Sequence, residues 1–183
     1  AEEEKLDTLI DGIESVWSPQ ELSDSFTSFS LNKTDEPVQQ MWITNTQVNF
    51  CAKAYKTVTM THDDAAALSV LAGFMRNGYL HTAIREQGGA YGGGAGHDTN
   101  IAAFRFFSYR DPRLSETLDD FDKAIDWVLN NKHEWRQVEE AILGVVASLD
   151  KPSSPAGDAG QAFHNILHGR TREKLKNFRQ QVL

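Results

Sequence analysis

Cysteine is almost absent from this 183-residue chain. Cys51 stands alone, so an internal disulfide and a thiolate metal cluster are both excluded. It lies in a strand-like run, where a small buried hydrophobe rather than a nucleophile is expected, and a lone thiol fits a reducing compartment. Long apolar runs are missing too: nothing approaches the roughly 20 residues that span a bilayer, and no signal-peptide pattern opens the chain. Positive charge is short. Eighteen Lys and Arg face 26 Asp and Glu, a formal net charge of −8, which argues against nucleic acid as a partner because phosphate contacts call for clustered bases. The one basic cluster, Arg170 to Arg179, alternates with Glu173 and reads as a solvated helix face. No serine sits in a G-x-S-x-G elbow, and no G-x-G-x-x-G or G-x-x-x-x-G-K-[ST] phosphate loop can be laid on the sequence.

Metal ligands in the right spacing are also lacking. His164 and His168 stand four apart on a probable helix, which brings two imidazoles to one face. In the inverted zinc motif H-x-x-E-H, however, Leu167 occupies the glutamate position, and no downstream acid serves as a third ligand. His81 and His97 have no ligand-spaced partner, and His62 and His133 read as exposed residues at helix starts. No metal site is expected within these residues. The acid pairs Asp63-Asp64, Asp119-Asp120 and Glu139-Glu140 read as solvated helix faces.

What is present is a chain that can build a core, with 40% hydrophobic and 10% aromatic residues. Leu6, Leu9, Ile10, Ile13 and Val16 recur at helical spacing between Glu2 and Trp17. Ser18 to Pro37 is a polar connection with a short extended piece at Phe26 to Leu31. Strand-like stretches follow at Val38 to Ile43 and Val48 to Val58, the second alternating in character. A long helix is predicted from Asp63 to about Glu86, then a glycine-rich segment, then a strand from Ile101 to Tyr109 with Phe104, Phe106 and Phe107 as strand core. Asp111-Pro112 starts a helix over Leu114 to Leu129. Further helices are predicted over Glu134 to Leu149, Gln161 to Leu167 and Thr171 to Leu183, with Lys151 to Gly160 as a loop. This order predicts an α+β sandwich, a largely antiparallel sheet with helices packed on one face. Two regions are expected: residues 1–36, an N-terminal helix and connecting loop, and residues 37–183, an α+β domain.

The most informative segment is Arg85-Glu86-Gln87-Gly88-Gly89-Ala90-Tyr91-Gly92-Gly93-Gly94-Ala95-Gly96. Glycine permits special backbone angles and close approach of another chain. Arginine and tyrosine are suited to holding a peptide carbonyl or an oxyanion. A phosphate site is the wrong reading, because here a helix precedes the glycines and a strand follows. The bland alternative is a tight turn and a sheet edge.

Four motifs then line up in order. Tyr79-Leu80-His81 with Arg85 to Gly93 resembles the pitrilysin/insulinase zinc peptidases. Phe106-Phe107-Ser108-Tyr109-Arg110-Asp111-Pro112-Arg113 with Thr117-Leu118 and Phe121 resembles the presequence-protease branch, as do Gln47-Val48-Asn49-Phe50 and Leu149-Asp150-Lys151-Pro152 with Ser154-Pro155. The resemblance covers about Pro37 to Leu183. It implies a LuxS/MPP-like metallohydrolase fold and the last, metal-free domain of a zinc metallopeptidase that degrades short unstructured peptides. It also implies a domain that usually continues past Leu183, so that this copy is short at its C-terminus. Zinc and its H-x-x-E-H motif would then lie in another domain and none would bind here. Arg85 and Tyr91 are the implied catalytic pair, with Gly88, Gly89, Gly92 and Gly93 lying against the substrate backbone by β-augmentation. The implied partners are a peptide and the other domains of the parent enzyme, with neither nucleic acid nor membrane. The isolated chain is expected to be inactive. Bacterial cytoplasm or an organelle lumen is the implied setting. The alternative is a catalytically dead peptidase-like subunit used for binding or assembly.

Overall fold

In a computed structural model of the chain, residues 2–16 and 36–183 are described. Nearly all of the connection expected over Ser18 to Pro37, its extended piece included, lies outside the described residues. The chain divides into two units, Ala1–Ile43 and Thr44–Leu183. The first contains helix α1, Glu2–Val16, whose Leu6, Leu9, Ile10 and Ile13 are all exposed. Residues 38–43 form no strand despite their apolar pattern. Val38, Met41, Trp42 and Ile43 are exposed, and an apolar run with no ladder partner has nowhere to place its backbone hydrogen bonds in a sheet.

The second unit is a three-stranded antiparallel sheet with helices on one face. Strands β1 (Ala52–Lys56), β2 (Gly92–Asp98) and β3 (Ala103–Tyr109) lie in the order β1-β3-β2. Lys53 is opposite Phe106 and Ala95 is opposite Phe106 on the other side, so β3 is central. The alternation of β3 decides the two faces. Phe104, Phe106 and Ser108 are buried, whereas Arg105, Phe107 and Tyr109 are exposed. Phe107, expected in the strand core, therefore faces outward. In the Val48–Val58 stretch the inward phase belongs to Cys51 and Lys53, and Phe50, Ala52 and Ala54 are the exposed set.

Helix α2 (Asp64–Met75) continues without a break into a π-helical segment, Arg76–Gln87, where a single α-helix is predicted from sequence. The wider turn brings residues five apart together; His81 Nδ1 lies 3.3 Å from Glu86 Oε1. Helices α3 (Ser115–Asn130), α4 (Trp135–Leu149), α5 (Pro155–Leu167) and α6 (Arg172–Val182) complete the unit. Leu80 and Ile84 of the π segment, Phe106 of β3 and Phe121 of α3 form the main core, with the Phe106 and Phe121 rings stacked at 5.5 Å. A second cluster joins Ala65 and Ala66 of α2 to Phe178 and Val182 of α6. Burial of such side chains contributes roughly 1.5–3 kcal/mol each.

Two residues expected in solvent are not. His133 packs its ring against Phe74 and Trp127, at 5.0 and 4.5 Å, and its Nε2 lies 3.0 Å from the Val128 carbonyl oxygen. Asp120 is buried and ion-paired to Arg113 and Lys123, at 3.2 Å each. It belongs to a polar knot where β3 ends. There the fully buried Asp111 accepts from the Thr117 hydroxyl at 2.8 Å and from the Arg113 backbone N–H at 2.9 Å. The Asp111 backbone pairs in both directions with Asn49, at 2.7 and 2.9 Å. Asp111→Ala strands one buried and one half-buried donor, and the expected loss is about 1–3 kcal/mol in urea unfolding. An unchanged urea midpoint would remove the knot from the stability argument.

Candidate functional site

The π segment ends at a turn that only glycine suits. The Arg85 carbonyl accepts from the N–H groups of Gly88 and Gly89, and the Ile84 carbonyl from Ala90 N–H at 3.1 Å. Gly89 has φ +78°, the left-handed helix-ending conformation that disfavours a Cβ. The chain therefore doubles back sharply between Arg85, in the last helical turn, and Tyr91, at the mouth of β2. Gly92 to Asp98 follow as a strand, where the sequence is read only as a glycine-rich segment with a tight turn and a sheet edge as its bland alternative.

Tyr91 is 70% exposed. Its ring stands edge-on to Tyr109 at 5.9 Å, and the Arg110 guanidinium carbon lies 5.9 Å from its centroid, within cation–π range. Its backbone N–H donates to the Arg110 carbonyl at 3.4 Å. Arg110 holds φ +50°, uncommon for a residue with a side chain. Phe50 packs edge-on against Tyr109 at 5.2 Å, so Phe50, Tyr109 and Tyr91 form an exposed aromatic row at one end of the sheet's open face. The sequence leaves Tyr109 and Arg110 open as structural or chamber-lining residues and does not single out Phe50 as a site neighbour; the in–out alternation of β3 was the available signal. Among the described residues, neither the Tyr91 hydroxyl nor the Arg85 guanidinium has a hydrogen-bond or ion-pair partner, and both side chains are exposed.

The four glycines divide. A Cβ on Gly92 would meet nothing within 4 Å, so this glycine opens onto the exposed side. Gly89 sits beside Pro112, whose Cγ lies 3.6 Å from where a Cβ would stand. Gly88 and Gly93, expected against substrate, face inward. A Cβ on Gly88 would run into the Arg113 guanidinium and the Ile84 carbonyl, and one on Gly93 would lie 2.8 Å from Ile84 Cγ2. Gly94, one residue on, is covered by the Arg76 stem, 2.9 Å from its would-be Cβ.

No group of three His, Cys, Asp or Glu side chains among the described residues could hold a metal ion. His164 and His168 do stack on α5, with centroids 6.4 Å apart, but two imidazoles are short of a tetrahedral ligand set. Burial pushes the Cys51 thiol above its ordinary pKa, which suppresses the thiolate that nucleophilic chemistry needs. No helix among the described residues is long and apolar enough to cross a membrane.

Residues 39–183 match the family model of the PreP C-terminal domain. The chain belongs to that family. It is 40% identical over 135 residues to the mitochondrial presequence protease of Mus musculus, covering 74% of this chain and 13% of that protein. The corresponding Xenopus tropicalis protein is 41% identical over 135 residues. The Yarrowia lipolytica protein is 33% identical over 172 residues, covering 94% of this chain and 17% of that protein. The chain thus spans a small part of the curated relatives it matches. Among solved structures it resembles a candidate zinc protease from Bordetella pertussis Tohama I, with TM-score 0.58 and 14% identity, over 74% of this chain and 82% of that one. It also resembles a peptidase M16 inactive domain from Pseudomonas fluorescens, with TM-score 0.56 and 20% identity, over 75% of this chain and 34% of that one. The α+β sandwich is therefore that of the M16 peptidase domains.

The glycine geometry yields a paired prediction. Gly93→Val overpacks Ile84 and is expected to cost about 1–3 kcal/mol, whereas Gly92→Val stays within about 0.5 kcal/mol of the parent. Urea midpoints of the two variants that fell together would refute the inward and outward assignment.

Proposed function

We propose that this chain is the C-terminal domain of a zinc metallopeptidase that degrades short unstructured peptides, supplying Arg85 and Tyr91 to a composite site. Zinc belongs, in this reading, to another domain of the same enzyme. The observation that carries the proposal is the pair of free donors, the Tyr91 hydroxyl and the Arg85 guanidinium, just ahead of a partly buried, glycine-rich edge strand in a chain of the PreP C-terminal family.

Each residue then has a physical task. The Tyr91 phenol donates one hydrogen bond and the Arg85 guanidinium up to five, enough to hold a peptide carbonyl and the negative charge that develops on it. Strand β2 is an edge strand, whose outer N–H and C=O groups can pair with an extended peptide. Gly92 keeps that lane clear beside Tyr91, and the Gly89 turn aims Tyr91. Gly88 and Gly93 act beneath the lane by letting Arg113 and Ile84 approach the backbone. The relatives are described as mitochondrial, which supports an organelle lumen as the setting, with a bacterial cytoplasm as the other intracellular possibility. The partners are the peptide and the enzyme's remaining domains.

The test is cleavage of an unstructured peptide by the full-length enzyme carrying this domain, compared with its Tyr91→Phe variant. Removing one oxyanion donor is expected to lower kcat by roughly 10²–10³, with an unchanged urea midpoint because the hydroxyl bonds to nothing in the fold. Equal kcat values would reduce Tyr91 to architecture. A parent with no chelator-sensitive cleavage would leave the catalytically dead binding subunit as the better reading. Gly92→Val should raise KM more than it lowers kcat, since it obstructs the lane and not the donors; an unaltered KM would take the peptide off β2.

A further inference from the structure

Beside β2, away from Tyr91, two clefts meet. The first, about 460 Å³, lies between α2, α4 and the far half of β2 and is lined by Arg76, Asn77, His97, Glu140 and Arg170. The second, about 780 Å³, lies between the 151–154 connection, the start of α5 and α6 and is lined by Lys151, Asp158, Arg170, Arg172 and Lys176. Met60, Ser148, Leu149 and Arg170 border both, so they form one continuous groove.

The charge inventory of this groove runs against that of the chain. Glu140 is bonded to Arg136 at 3.1 Å, and Asp150 takes a bidentate grip from Arg179 at 2.7–3.1 Å, so these carboxylates are spent. Among the described residues, Arg76, Lys151, Arg170, Arg172 and Lys176 have no carboxylate within ion-pair distance, against one free carboxylate in the lining, Asp158. His97 is already occupied: each ring nitrogen lies 3.2 Å from two protein oxygens. Five free cations are thus concentrated in one groove of a chain with an overall charge of −8. Like charges repel, and a surface that gathers them without counter-charges favours an anionic occupant. The groove also begins on the candidate peptide lane. The Arg76 stem lies on Gly94, three residues along β2 from Tyr91 and so about 10 Å at strand rise.

We propose that this groove is a specificity subsite for acidic side chains of a bound peptide, with Arg76 at its mouth and Arg170, Arg172, Lys176 and Lys151 along its length. The proposal rests on the peptidase reading for the placement of the peptide on β2. It goes beyond that reading by fixing a preference: residues a few positions from the Tyr91 end are favoured when they are Glu or Asp. The attraction is between exposed charges, so it weakens as salt shortens the screening length.

The test uses the full-length enzyme carrying this domain and two labelled unstructured peptides, alike except that a run of Glu in one is Gln in the other. The expected Glu-over-Gln ratio in 1/KM is on the order of tenfold at low salt. It falls toward one in high salt, and in Arg76→Gln combined with Arg170→Gln and Arg172→Gln. The charge-retaining Arg76→Lys, Arg170→Lys and Arg172→Lys combination keeps most of it. A wild-type ratio of one, or a ratio that persists in the Gln variant, overturns the subsite. Fluorescence anisotropy with the same peptides reads the groove independently of turnover. Tighter binding of the Glu peptide, lost in the Gln variant, upholds the subsite even where neither peptide is cleaved, and that failure then counts against the peptidase reading alone. A labelled single-stranded oligonucleotide that binds more tightly than the Glu peptide, and loses this in the Gln variant, overturns the peptide as occupant.

Discussion

The candidate site depends on one guanidinium. Arg113 leaves the polar knot at the end of β3 and reaches across to the π segment, where it donates to the Ala83 carbonyl at 3.1 Å. The same nitrogen lies 3.2 Å from Asp120 on α3, and the group rests on Gly88, where any Cβ would collide with it. Three elements that do not otherwise share a hydrogen-bond ladder are tied at one point: the end of β3, the start of α3 and the end of the π segment. A helix end leaves carbonyls without intrahelical partners, and Arg113 satisfies one of them while carrying a charge that Asp120 offsets. The pair is largely removed from water, so removal of either partner alone would strand the other. Two residues past this anchored turn the chain emerges as Tyr91, so the clasp fixes the starting point from which that side chain projects.

Glycine serves two opposite purposes within nine residues. At Gly88 and Gly93 the missing Cβ lets something inside come close, Arg113 in one case and Ile84 in the other. At Gly92 it leaves space outside. Strand β2 exists despite its composition, because glycine gives up packing and entropy in a sheet. What compensates is the full seven-residue register with β3, Gly92 opposite Tyr109 through Asp98 opposite Ala103, together with the close seat on the π segment. A glycine-rich strand on a rigid neighbour is thin without being loose.

Much of this was legible beforehand because it depends on side-chain periodicity. The helices α3 and α4 were legible from apolar residues at helical spacing: Phe121 is indeed inside, and Ile142, Val145 and Val146 are half-buried against the second cluster. The antiparallel α+β layering followed from the order of elements. The Arg85 and Tyr91 motif was legible only as a pattern of residue types, and its geometry was not. What escaped depends on the backbone or on a distant partner. No propensity distinguishes the π turn from an α turn over Arg76 to Gln87. A glycine strand carries no alternation to read. Asp120 looked solvated because its neighbour Asp119 is, and what makes its burial tolerable is Arg113, seven residues upstream and across a turn, together with Lys123 on the same helix. His133 looked like a helix-start residue until Phe74 and Trp127 closed over it. The phase of β1 was ambiguous because Phe50, Ala52 and Ala54 are as apolar as an inward set, and the aromatic row they extend into lies on the exposed side.

Arg113, which reaches the end of the π segment from beyond β3, and Arg85, which lies on that segment, carry the same side chain and stand at opposite extremes. The first is largely buried, bonded through Nη2 to Ala83 and Asp120 with its Nε buried and unpartnered, and its energy is spent on the fold. The second is solvated and unpaired, costs the fold nothing, and retains its hydrogen-bonding capacity for a partner. That reserve has little strength while water competes for it, since a charge–charge interaction in bulk water is worth about 1 kcal/mol at 4 Å and several times more in a protein-like medium. An open sheet face and an edge strand cannot by themselves exclude that water. Exposed donors such as the Tyr91 hydroxyl and the Arg85 guanidinium gain force only where a second surface excludes that water. With its clasp buried and these two groups exposed, the domain spends one arginine on holding its shape and leaves the other solvated.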